Sequence, residues 1–355
     1  MRSPNPRPPA LRARGGLGRR LAAALGAAFC LNACSGPPSL HPSPTPTPFT
    51  VCLVPTVDGV RDGSVNQLTL QGIQSAGVRV HVMQPAAADD YLTDIEACGA
   101  TRPALVVTVS AEEAQAVWSG ASHSPQIRFL LVDAEPIDPS GRTAALSNVL
   151  SLTFDEKDAA YLVGALAGLM ESEKVGAAAH NTTAILGLNH SPQVDSYIAG
   201  YVSGARAANP KILIKLSYSD SADPDFCRQL GRDQVNGGAD ILFEVQARCA
   251  GGYIDAAYRS GVYAIGSQTD RASLSPAVIT SAVKRIDRAV ALVIGQIARG
   301  SFHGGTVRRF GLDNEGTGFT TPSSVVPQDV INQVEDIRAR IRSGAITTPD
   351  AIPPL

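Results

Sequence analysis

The sequence predicts an α/β protein made of two doubly wound, parallel-sheet lobes. Short apolar runs alternate with amphipathic segments from residue 51 onward, and no hairpin-type turn separates the runs. The alternation also breaks near residues 147–154 and then starts again, which splits it into two sets of about four units. At 355 residues the chain has roughly two domains' worth of length. Charged residues make up 17% and the net charge is −2, so no basic field exists to attract nucleic acid.

Residues 1–33 read as an export signal of the lipoprotein type. Arg2, Arg7, Arg12, Arg14, Arg19 and Arg20 form a basic region, residues 21–31 are apolar but too few to span a bilayer, and Leu31-Asn32-Ala33-Cys34 follows as a processing box. Lipidation of Cys34 would anchor an exported protein to the membrane by its new amino terminus. An ordinary cleaved secretory signal is the alternative, and Arg19-Arg20 is compatible with twin-arginine export. Residues 34–50 are dominated by Ser, Pro and Thr, cannot bury enough apolar surface to fold, and should form a semi-extended tether.

Residues 51–355 then carry the fold. Buried strands are expected at 51–54, 78–83, 104–109 and 127–132 in the first lobe, and at 184–188, 212–216, 241–245 and 262–265 in the second. Residues 158–170 should form the helix that opens the second lobe. In the clearest helical pattern Val194, Tyr197, Ile198, Tyr201, Val202 and Ala205 recur at three- and four-residue spacing and make one apolar face. Two such lobes leave a cleft between them, and ligands of open α/β sheets gather at strand carboxyl ends.

Export changes how the cysteines read. Beyond Cys30 and Cys34, the chain has Cys52, Cys98, Cys227 and Cys249, without CxxC spacing or His partners at zinc distances. Two disulfides are expected rather than a metal site, with three connectivities open. The six His are scattered, GxSxG and HExxH do not occur, and His303 beside Gly304-Gly305 reads as part of a surface turn. An enzyme is therefore not expected, and no cofactor is implied.

Three blocks carry a family likeness. VDGVRDGSVNQ (57–67), SLTFDEKDAAYLVGALAGLM (151–170) and ITSAVKRIDRAV (279–290) with GSFHGGTVRRFG (300–311) resemble, in order and spacing, segments of the basic membrane protein family. These are nucleoside-binding lipoproteins that serve ABC transporters. The resemblance implies a type I periplasmic-binding-protein fold, monomeric, with two lobes joined by three crossovers that close on a ligand. It assigns 51–150, 279–300 and the C-terminal helix to the N-lobe and 154–275 to the C-lobe. It also implies one disulfide per lobe, Cys52 with Cys98 and Cys227 with Cys249, which leaves the hinge free.

The resemblance places the ligand site at Thr56, Val65, Asn66, Asp133, Ser221, Ala247, Gln268 and Lys284. Family members that bind purine nucleosides hold ribose with carboxylates and sandwich the base between aromatic rings. Asp133, which ends the run Phe129-Leu130-Leu131-Val132, and Lys284 match that pattern; their alternative roles are a turn cap and a solvated helix residue. The rest departs from it. Thr56 and Gln268 stand at carboxylate positions, Val65 and Ser221 at the two stacking positions, and Gln246-Ala247-Arg248 where a glycine-rich turn belongs, while Asp270 matches a structural Asp.

A Gln cannot accept two hydroxyl protons as a carboxylate does, and each lost ring removes stacking worth roughly 1–3 kcal/mol. Nucleosides are thus expected to bind weakly, and Asp58 and Arg248 are candidate contacts for a different small polar ligand. The function expected is a membrane-tethered solute-binding lipoprotein of an ABC importer, with a membrane permease as partner. The alternative is a non-transport sensory or surface-interaction lipoprotein with a partly lost pocket.

Overall fold

The computed structural model describes residues 49–61, 63 and 65–355, so the expected signal peptide and Cys34 lie outside the described residues. Of the expected tether only Phe49 and Thr50 are described, and Thr50 already opens the first strand.

The N-lobe begins with β1 (Thr50–Leu53), α1 (Val65–Ser75), β2 (Arg79–Val82), α2 (Tyr91–Ala100), β3 (Leu105–Val109), α3 (Ala114–His123), β4 (Phe129–Val132) and β5 (Val149–Phe154). The chain then builds the C-lobe with α4 (Glu156–Glu173), β6 (Thr182–Gly187), α5 (Pro192–Ala208), β7 (Leu213–Tyr218), α6 (Pro224–Asn236), β8 (Ile241–Val245), α7 (Ala250–Ser260), β9 (Tyr263–Gln268) and β10 (Val278–Lys284). It returns through α8 (Ile286–Ala298) and β11 (Thr306–Phe310), and ends with β12 (Thr317–Phe319) and α9 (Gln328–Arg342).

The two six-stranded sheets have the orders β11-β5-β4-β3-β1-β2 and β12-β10-β9-β8-β6-β7. Every pairing is parallel except β10 with β12. Helices cover both faces of each sheet, which is why central strands such as β3 and β8 are mostly apolar and buried along their whole length. Local chemistry sets the helix starts. Ser191 accepts from the Val194 amide ahead of Pro192 at α5, and Asp223 accepts from the Asp225 amide ahead of Pro224 at α6.

All eight expected strands are present. The structure adds four, and the expected break at 147–154 is β5, a full strand between β4 and β11. Its alternating Ser151 and Thr153 interrupt the apolar run that marks its neighbours, and β11, with Arg308 and Arg309, is an edge strand ordered by pairing with β5.

The lobe assignment also needs correction. Strand β10 belongs to the C-lobe sheet, so of residues 279–300 only α8 lies in the N-lobe, where Ile286, Val290 and Ile294 join the core of β1, β3 and β5. The C-terminal helix packs on the C-lobe, because Val330 and Val334, its two buried residues, join Leu162, Val163 and Leu166 of α4. Cys52 is bonded to Cys98 and Cys227 to Cys249, one bridge inside each lobe, with Cα separations of 5.9 and 6.0 Å.

Candidate functional site

The carboxyl ends of the strands from the two sheets face each other across a cleft of about 530 Å³. The N-lobe wall presents Thr56 and Asp58 after β1, Val65 and Asn66 of α1, and Ser110 and Glu112 after β3. The C-lobe wall presents Leu188 after β6, Ala222, Gln246 to Gly251 after β8, and Gln268, Arg271 and Leu274 after β9. Backbone strain marks the same strand ends. Ser110, Asp133, Gln246 and Gln268 directly follow or end β3, β4, β8 and β9, and all four are non-glycine residues at positive φ, from 56° to 74°. Such conformations persist where the surrounding structure over-determines them, and they gather at ligand sites.

Of the residues expected at the site, Thr56, Val65, Asn66, Ala247 and Gln268 line this cleft. Thr56 and Asn66 are locked together. The Thr56 amide donates to Asn66 Oδ1 at 3.1 Å, and Asn66 Nδ2 donates to the Thr56 hydroxyl at 2.7 Å. Ser221 is set back in the loop before α6, where its hydroxyl accepts from the Asp223 amide at 3.1 Å; its neighbour Ala222 reaches the cleft instead. Asp270 caps a turn by accepting from the Ala272 amide at 2.9 Å.

Asp133 and Lys284 meet each other rather than the cleft. Lys284 Nζ donates to Asp133 Oδ2 at 2.7 Å, Glu156 Oε2 lies 4.0 Å away, and Gln193 Nε2 donates to the same Asp133 oxygen at 3.0 Å. Asp133 ends an N-lobe strand while Lys284 and Gln193 belong to the C-lobe, so this is a buried inter-lobe tie. Burial works against the Lys284 charge, but Asp133 and Glu156 overcome it and hold the ammonium above its usual range. Burial pushes Glu156 up to about 7, with Lys284 opposing and Asp133 adding to the rise.

Sequence reasoning passed over three contributors. Glu112 accepts from the Tyr91 hydroxyl at 3.1 Å, and that hydroxyl accepts from the Val57 amide. Burial, more than the neighbouring carboxylate, pushes Tyr91 up to about 12. Arg271 lies beside the fully buried Glu244, Nε to Oε1 3.4 Å, and reaches across to the Gly63 carbonyl at 3.4 Å, where Thr269 also donates at 3.2 Å. The strand-end rule applied to 104–109 finds Glu112, the next polar side chain but one after the strand. No local pattern marks Arg271, because the partners of its side chain are more than 25 residues away in sequence.

The comparisons with known proteins agree with this architecture. Residues 49–351 match the family described as ABC transporter substrate-binding protein PnrA-like. A CD4+ T-cell-stimulating antigen of Listeria monocytogenes is 27% identical over 330 residues, covering 85% of this chain and 88% of the relative. The ABC transporter nucleoside-binding protein BmpA of Lactococcus lactis is 24% identical, covering 85% and 90%. The solved ABC transporter solute-binding protein of Aeropyrum pernix superposes with a TM-score of 0.75 at 21% identity, covering 85% of this chain and 94% of that one. That last likeness is one of fold.

Proposed function

The chain belongs to the family of PnrA-like ABC transporter substrate-binding proteins, and on that footing we propose that it is a lipid-tethered solute receptor whose ligand is a small polar molecule other than a purine nucleoside. Membership itself implies a small ligand, a membrane permease as partner and a binding rather than an enzymatic role. Among the described residues no helix is long and apolar enough to cross a membrane. Attachment through an acylated Cys34 is the proposed anchor, and Cys34→Ser should release the intact protein from membranes.

The observation that carries the ligand reading is the lining of the cleft. No aromatic ring lines it among the described residues, and its polar groups are Thr, Asn, Ser, Gln, two carboxylates and two guanidinium groups. A purine base would find no stacking face in this lining, since the family's two stacking positions fall at Val65 and Ser221, and forfeiting two such contacts costs on the order of a thousandfold in affinity. The nucleoside named for the Lactococcus relative is therefore not transferred to this chain. Calorimetry on the full chain should show guanosine, adenosine and inosine binding weakly or not at all. Submicromolar binding of any of them would overturn the non-nucleoside reading.

A further inference from the structure

The two walls of the cleft carry opposite charge. Asp58 and Glu112 stand on the N-lobe side, while Arg248 and Arg271 stand on the C-lobe side. Arg271 is engaged with Glu244 and the Gly63 carbonyl. Arg248 and Asp58, by contrast, make no hydrogen bond or ion pair among the described residues, and Glu112 accepts only from Tyr91. Beside Arg248, the side-chain nitrogen of Gln246 is buried with no hydrogen-bond partner, although Gln246 lines the same cavity at a strained φ of 56°. Donors are thus idle on one wall and acceptors on the other.

These groups do not pair with each other even though the lobes already touch. Arg271 and Thr269 reach the Gly63 carbonyl, and Lys284 reaches Asp133, yet a cavity of about 530 Å³ still separates the opposed charges. That volume lies within the ~300–1,000 Å³ of ordinary small-molecule sites. Asp58, Glu112 and Arg248 are exposed and hydrated here, so a neutral ligand that filled the cleft would strip their water without returning a charge to either wall. A ligand with an acidic group at one end and a basic nitrogen at the other compensates both walls and gains charge-assisted hydrogen bonds to each.

We propose that the cleft binds a small dipolar ion of amino-acid-like chemistry, its acidic group against Arg248 and Gln246 and its basic nitrogen against Glu112 and Asp58. This rests on the solute-receptor reading above and narrows it to a ligand class. Because the dipole spans both lobes, the ligand gains both sets of contacts only when the lobes are together, so it favours the closed form by its differential affinity.

The test uses the full-length chain, wild type and with Arg248→Gln or Glu112→Gln. Both side chains are exposed, and an unchanged thermal midpoint verifies that each variant folds. The dipolar probes are the common α-amino acids, γ-aminobutyrate and taurine; the neutral probes are guanosine, inosine and D-ribose. Each is titrated by calorimetry, and the small molecules released on denaturing the wild-type protein are identified by mass spectrometry. The expected result is that a dipolar probe binds or a dipolar molecule co-purifies, and that each substitution weakens it roughly tenfold or more. A neutral ligand that binds with unchanged affinity in both variants overturns the dipolar class and leaves the solute-receptor reading standing. If no probe binds and no small molecule is released, both fall together.

Discussion

At the scale of single residues, the buried ionisable groups govern stability. Lys284 is fully buried and its compensation comes chiefly from Asp133. Removing one partner of a buried pair leaves a charge in a poor medium, so Asp133→Ala should cost about 3 kcal/mol in chemical denaturation. Adding Lys284→Met should recover much of that, since Glu156 can then take up its proton. A loss that the second change does not recover would mean Asp133 acts through something other than Lys284. On the far side of the C-lobe, Glu171 Oε1 and Asp240 Oδ1 are both buried without another hydrogen-bond partner. Burial first, and then Asp240 beside it, pushes Glu171 up to about 9, so Glu171 keeps its proton at neutral pH. A carboxyl whose folded value is raised adds stability that is whole below its ordinary value and is lost as pH rises through the folded one. Thermal midpoints should therefore fall as pH rises from about 5 to about 9, Glu156 contributing below about 7. Glu171→Gln should flatten the upper part of that fall, and an unchanged profile would remove Glu171 from the account.

At the scale of elements, α4 and α5 pack backbone against backbone. Each carries two glycines four residues apart, Gly164 with Gly168 and Gly200 with Gly204, which puts them on facing stripes. A Cβ on Gly204 would lie 2.0 Å from the Tyr161 carbonyl oxygen, and one on Gly164 would lie 2.1 Å from that of Tyr201. Backbone atoms of a packed helix cannot step aside, so Gly204→Ala should destabilise the protein by about 3 kcal/mol, at the upper end of overpacking costs. Gly295 in α8 is the contrast, with only the end of the flexible Arg299 side chain nearby at 3.6 Å. Gly295→Ala should raise stability by roughly 0.5–1 kcal/mol through lower chain entropy in the unfolded state. Equal effects in denaturant melts would show that helix propensity, not approach distance, sets both.

At the scale of the whole molecule, two contacts among the described residues tie the lobes together. Asp133 with Lys284 is one tie, and Gly63 with Thr269 and Arg271 is the other. The second consists of hydrogen bonds to a single carbonyl, so it is the weaker and the one expected to yield when the cleft opens. Arg271→Ala should shift the unliganded protein toward the open form and raise its radius of gyration in small-angle X-ray scattering. A value identical to wild type would mean that the Arg271 contact does not hold the lobes together. The Glu244 carboxylate would keep its bonds from the Ser267 amide and hydroxyl in that variant, which limits the damage to the C-lobe itself.

The sequence by itself determined the α/β class, eight of the twelve strands and the two-lobe plan. Those features follow from local periodicity: an interior parallel strand must be a short apolar run, and a covering helix must repeat at three and four residues. A family resemblance also pointed to Thr56, Val65 and Gln268, which line the cleft. Only the tertiary structure decided that Asp133 and Lys284, 151 residues apart, pair with each other, and that Arg271 reaches Gly63 across 208 residues. It likewise decided that β5 and β11 are strands, because their polar side chains are tolerated by a pairing that lies outside any local window. The polarity of the cleft belongs to the same class. Whether a charge is satisfied, idle or opposed depends on distance and desolvation, and both arise only when segments from distant parts of the chain are brought face to face.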